Sequence, residues 1–231
     1  MMAQPAKSRL WSTLSNAGGF TLVEVLVALA IASVVAWAIL NLQVSHTKTA
    51  AVQAEVVAMQ QGLRGSMNLL TRELKKAGYN PLGTAGAGIV TANATFIYYT
   101  SDHDNNGNGN GTLTGATEHA AFCFANNTLR FTEGNSNAVG NHASHAHLDV
   151  MADVEAVQFY YQLADDSWTL TPGVPGNIRV IQVTLLGRTR TADPNYKNTT
   201  VYDTPSGAKW GPYNDGFRRQ LMTSTVKLWN M

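Results

Sequence analysis

From Phe20 to Leu42 the chain runs 23 residues with one charge, Glu24. A helix of that length measures roughly 35 Å at ~1.5 Å per residue, enough to cross a bilayer. The apolar pattern then thins but does not stop. Val52, Val56, Met59, Leu63, Met67, Leu70 and Leu74 recur at intervals of three and four, which is one face of a helix. No proline occurs between Pro5 and Pro81, and Gly78 follows the last turn, so one helix is predicted from the apolar span to about Ala77, close to ~85 Å in all. Gly62 and Gly65 are its weak points, each costing around 1 kcal/mol relative to alanine in an exposed helix.

Beyond Pro81 the pattern changes to short β-branched and aromatic runs between loops rich in Gly, Asn and Thr. This predicts antiparallel strands at Thr95–Thr100, Ala120–Phe124, Thr128–Thr132, Val154–Gln162, Arg179–Leu186 and Thr223–Trp229. Asn126-Asn127 fits a hairpin turn, because Asn tolerates positive φ. The loops 101–119, 133–147 and 189–216 are longer than a compact domain needs, which marks them as functional or mobile. The predicted class is α+β, a long N-terminal helix packed on one face of an antiparallel β-sheet domain. Four segments follow: 1–19 as a leader, 20–42 as the apolar part of the helix, 43–78 as its amphipathic continuation and 79–231 as a β-rich head.

Charge sets the orientation. Lys7 and Arg9 precede the apolar span and nothing basic follows Leu42 closely, which places the N-terminus in the cytoplasm and the head across the membrane. An ordinary secretory signal has its small residues after the apolar segment. Here Gly18 and Gly19 stand before it. The order Gly-Gly-Phe-Thr-Leu-Val-Glu, then an apolar helix, resembles the processing signature of type IV prepilins and type II secretion pseudopilins. The resemblance implies cleavage between Gly19 and Phe20 by a prepilin peptidase and N-methylation of Phe20. It also gives Glu24 a role. A carboxylate in hydrocarbon costs several kcal/mol unless paired, and in this family the partner is the N-terminal amine of a neighbouring subunit in the filament core. Without that role, Glu24 belongs to a plain signal anchor and lies near the interface.

Two further segments resemble narrower groups. Leu-Thr-Arg-Glu-Leu-Lys-Lys-Ala-Gly-Tyr at 70–79 is similar to the helix end of PilW-like minor pilins and of J-type pseudopilins. Arg218-Arg219 and the run Thr225–Asn230 are similar to the closing strand of the PilW-like group, which usually has Arg where Trp229 stands. Read from the residues alone, the Arg pair is a solvated strand edge in preference to a dedicated contact site. Major pilins commonly break the long helix with proline near the position of Asn41, and this chain has none. The resemblance therefore implies a minor pilin that primes assembly of a type IV pilus. Its partners would be the prepilin peptidase, other minor and major pilins, the inner-membrane assembly machinery and a tip adhesin. It would pass from the bacterial inner membrane into the pilus. The alternatives are a J-type pseudopilin of a type II secretion system and a surface ligand binder or adhesin that the helix merely anchors.

Composition removes other classes. The whole chain carries a formal charge of +1, and beyond Gly19 it holds 14 basic against 15 acidic residues, which argues against nucleic-acid binding. Cys123 is the only cysteine and sits between Phe122 and Phe124, so no intramolecular disulfide forms and a buried inert thiol is expected. No nucleophile elbow, Walker loop or dinucleotide fingerprint occurs, and no enzymatic role is expected. Calcium is the candidate ion: Asp102, Asp104 and Asn106 occupy the first, third and fifth positions of an EF-hand-type loop. Gly107 stands sixth, and Asn108 and Asn110 stand seventh and ninth. The twelfth position holds Leu113 in place of the bidentate Glu, so a closing carboxylate must come from elsewhere, with Glu118 a candidate. An Asn/Gly-rich linker is the competing reading. His142, His145 and His147, with Asp149 nearby, are candidate zinc ligands against a solvated polar loop.

Overall fold

The computed structural model describes residues 19–103, 107–115, 117–134 and 148–231. Helix α1 spans Leu22–Leu74. The chain forms two compact units, residues 1–51 and 52–231. In the first, every described residue is exposed, and the helix is long and apolar enough to cross a membrane.

In the second unit the three-and-four spacing does what amphipathic spacing should. Met59, Leu63, Met67, Leu70 and Leu74 are all buried, each adding roughly 1.5–3 kcal/mol of hydrophobic stabilisation. They meet a five-stranded antiparallel sheet made of β1 (Ile89–Ala92), β2 (Phe96–Thr100), β3 (His119–Ala125), β4 (Thr128–Gly134) and β5 (Leu148–Met151), paired in that order. They also meet a four-stranded antiparallel sheet. It contains β6 (Val154–Leu163), β7 (Trp168–Thr169), β8 (Ile178–Arg188) and β11 (Arg219–Lys227), in the order β11-β8-β6-β7. Between β8 and β11 the chain makes a two-stranded ribbon, β9 (Tyr202–Asp203) with β10 (Lys209–Trp210).

Alternation explains the second sheet's inner face. Val157, Phe159 and Tyr161 on β6, Ile181, Val183 and Leu185 on β8, and Val226 on β11 are buried in the core shared with the helix. Thr184, Leu186 and Gln158 are buried as well. Part of the outer face is therefore covered, and the cover is the 189–217 segment, where Ser206 Oγ donates to Gln158 Oε1 at 2.8 Å.

All six expected strands form, and the expected hairpin is present: Asn126 and Asn127 have φ of 52° and 56°, and Ala125 pairs with Thr128 across them. The β-sheet domain is made of two sheets and a ribbon. Two expectations change. The helix ends at Leu74, not Ala77, because the chain tightens into i→i−3 bonds from Lys76 to Glu73 and from Ala77 to Leu74, then reverses at Gly78 with φ +77°. The last strand begins at Arg219 and stops at Lys227, leaving Trp229 beyond it, since its register follows β8 over its whole length from Arg219–Arg188 to Lys227–Val180.

Candidate functional site

The N-terminal site starts from one threonine. Thr21 Oγ1 accepts the Glu24 N–H at 3.3 Å, and the Thr21 carbonyl accepts from Glu24 and Val25 at 3.1 and 3.2 Å. Thr followed by Glu three residues later is the capping-box pattern, and its threonine half is formed here, meeting one of the helix's first N–H groups, that of Glu24. Gly19 and Phe20 lie just outside this cap, exposed, and nothing packs within 4 Å of where a Gly19 side chain would begin. Glu24 is exposed one turn inside the helix. Gly18, Lys7 and Arg9 lie outside the described residues.

The Asp102 loop has a different organisation from a simple open turn. Asp102 is fully buried. Its Oδ1 accepts the Asn110 N–H at 2.8 Å and its Oδ2 the Gly111 N–H at 3.0 Å, while its own N–H donates to the Tyr79 carbonyl. Asn110 Oδ1 accepts from the Thr112 N–H and hydroxyl. Glu118 is buried, with Oε2 accepting the Gly115 N–H and Oε1 without a partner among the described residues. Asp104 and Asn106 lie outside the described residues, so the five-residue calcium set of Asp102, Asp104, Asn106, Asn108 and Asn110 is seen only in part. His142, His145 and His147 also lie outside them. Asp149 is engaged by Arg130 at 3.2 Å. Among the described residues no three His, Cys, Asp or Glu side chains gather as a metal cluster. Cys123 is buried, and burial pushes its thiol up, as an inert core thiol requires.

Arg218 and Arg219, a solvated edge by sequence, belong to a cluster that holds the 189–217 segment in place. The Arg219 side chain is 1% exposed. Its Nη2 donates to Glu155 Oε2 at 2.8 Å and Asp215 Oδ2 at 2.7 Å, and its guanidinium lies 3.9 Å from the centre of the Tyr213 ring. Burial disfavours its charge, but Asp215 and Glu155 more than offset this and raise its pKa. Beside it, Arg218 Nη2 donates to Asp193 Oδ2 at 2.8 Å, and its guanidinium sits over Tyr196. The Arg218 hydrogen bond is the main cause holding Asp193 below the usual carboxylate range, and Arg219 does the same for Asp215. A double arginine next to a Tyr/Asp/Phe-rich loop was the available signal, since guanidinium groups stack on rings and bind carboxylates in pairs. The cluster fastens a loop and presents no reactive group.

Two segments of the chain match known families. Residues 14–40 match the prokaryotic N-terminal methylation motif, and residues 52–204 match the prepilin peptidase-dependent protein B family. A solved type IV-like pilin from Thermus thermophilus superposes with a TM-score of 0.50 at 18% identity, over 74% of this chain and 97% of that one. That likeness concerns the fold: a long apolar N-terminal helix packed on antiparallel sheet. No curated protein matches in sequence. A processing motif, a family match over most of the head and a pilin-like fold agree, and the chain belongs to the prepilin peptidase-dependent protein B family, among the type IV pilin-like proteins.

Proposed function

We propose that this chain is a minor pilin that helps prime assembly of type IV pili together with other minor pilins, the major pilin, the inner-membrane assembly machinery and a tip adhesin. The observation that carries the reading is α1 itself: unbroken from Leu22 to Leu74, it presents an exposed apolar run whose only carboxylate is Glu24. Such a surface is stable in lipid or against other helices, not in water. The prepilin peptidase cuts between Gly19 and Phe20 and Phe20 is methylated, the leader staying on the cytoplasmic side of the inner membrane. Glu24 then pairs with the Phe20 amine of a neighbouring subunit, which removes the cost of a lone carboxylate as the subunit leaves the bilayer for the filament. The protein is a substrate of processing and does not catalyse.

Gene deletion with pilus counts tests the role, and the mass of the mature N-terminus tests processing. Loss of pili and an N-methylated chain starting at Phe20 are expected. Glu24→Val protein should insert into membranes yet be depleted from sheared filaments. Intact piliation with lost protein export would move the chain to the type II secretion pseudopilins, and a native N-terminus at Met1 would remove the processing step.

A further inference from the structure

The second sheet's outer face is only half covered, and the open half has a composition of its own. Trp168 on β7 stands opposite Gln162 on β6, Gln162 opposite Val180 on β8, and Val180 opposite Lys227 on β11. Directly opposed residues project from the same face, so these four form one row across the sheet. The adjoining row is Tyr160, Gln182 and Thr225. The neighbouring positions Tyr161, Ile181 and Val226 are fully buried in the core, which fixes both rows as outward. None of the outward residues is buried.

The row ends in an indole on each side. Trp168 packs against Tyr160 with ring centres 5.0 Å apart, a contact that restrains the indole at the sheet edge. At the other edge the Lys227 ammonium lies 4.5 Å from the centre of the Trp229 ring, which brings Trp229, 73% exposed, to the same face. Three strand spacings separate Trp168 from Lys227, about 14 Å, close to the length of about three linked pyranose rings. Between the indoles lie planar hydrogen-bonding groups. Gln162 Nε2 donates to Asp166 Oδ1 at 3.1 Å, and neither the Gln162 carbonyl oxygen nor the second Asp166 oxygen accepts from another described residue. The Gln182 amide makes no side-chain hydrogen bond to a described residue, on either its donor or its acceptor side.

Ring faces for carbohydrate C–H faces, with amides and a carboxylate for paired hydroxyls, are the chemistry that recognises a sugar. The charges define its class. Asp165 and Asp166 precede Trp168, and in these two rows the one cation among the described residues, Lys227, is stacked on Trp229, so a polyanion is disfavoured. We propose that this half of the sheet binds a neutral oligosaccharide of about three units, stacked between Trp168 and Trp229 and hydrogen-bonded by Gln162, Asp166 and Gln182. The site is independent of α1 and of the role proposed for it in the filament.

The test is a titration of the full chain in a zwitterionic detergent, because sugar-headed detergents would compete. The probes are malto-, cello- and chito-oligosaccharides of one to four units, read by tryptophan fluorescence and calorimetry. Saturable binding of at least one tri- or tetrasaccharide is expected, with its monosaccharide much weaker. Trp168→Ala and Trp229→Ala should each weaken it about tenfold, the scale of one lost stacking contact. Trp210→Phe should leave it unchanged, and thermal melts of all variants show that they fold. Binding of none of these sugars, equal binding by both tryptophan variants, or binding only of an anionic oligosaccharide or oligonucleotide that is lost in Lys227→Ala would each overturn the proposal.

Discussion

Leu63 of α1 lies directly against Gly187 of β8: a β-carbon at Gly187 would stand 3.0–3.1 Å from three carbons of the Leu63 side chain. Leu63 is fully buried and has nowhere to retreat. The glycine is what lets the helix approach the sheet at this point. Gly187→Ala should therefore destabilise the head by about 1–3 kcal/mol through overpacking, read as a lower denaturation midpoint. Adding Leu63→Ala should recover less than the full loss, since that change opens a cavity of its own.

Arg219 ties β11 to β6 and to the loop before it, with its guanidinium out of water and two carboxylates arranged around it. Removing one partner of a buried pair leaves the others uncompensated, at a cost of about 3–5 kcal/mol. Arg219→Ala should lower the melting temperature and make the 189–217 segment sensitive to protease before the sheets unfold. Arg219→Lys should restore only part of the loss, because an ammonium cannot make the same planar contacts.

The same cluster sets an acid limit. Asp193 and Asp215 are held below the usual carboxylate range by their arginine partners, and Glu55 is held low by the Thr191 hydroxyl and N–H. A lowered folded pKa gives stability that is present above the unfolded pKa and lost as pH falls through the folded one. Stability should thus be flat at neutral pH and fall below about pH 4, where free carboxylates begin to protonate. Thermal melts from pH 7 to pH 2 should show this, and Asp215→Asn should be less stable at neutral pH with a shallower acid slope.

Calcium addresses the Asp102 loop. Its carboxylate receives two backbone N–H groups without any ion, so Asp102→Ala should cost about 1–3 kcal/mol in calcium-free buffer. With two carboxylates in the segment, calcium should raise the melting temperature only toward ~10⁻⁴ to 10⁻³ M. That rise should vanish in Asp104→Ala. No rise at several millimolar calcium would leave the loop a hydrogen-bonded linker.

The helix and the strands were legible because their periods are strong and local: three-and-four spacing from Val52 to Leu74, and β-branched runs at 154–162 and 179–186. The Asn126-Asn127 turn was legible for a similar reason, since its chemistry is confined to two residues. What was not legible depends on partners far along the chain. Arg219 reads as a surface residue until Glu155, 64 positions earlier, is brought beside it. Short strands such as Ile89–Ala92 and Leu148–Met151 carry too few residues for a period to show, and they exist because a neighbouring edge accepts them. The split into two sheets has no local signature either. At the N-terminus, the processing and Glu24 readings rest on motif chemistry, which survives in the sequence whatever the surrounding fold.

Thr21 gives that N-terminus a further property. Among the described residues, the groups that close the first turn of α1 lie at or after residue 21, so a cut between Gly19 and Phe20 leaves that cap in place. Scission there would change the charge and length of the chain while leaving the Thr21 cap of α1 intact. Precursor and mature protein could then share one helix, and maturation would need no refolding within the bilayer.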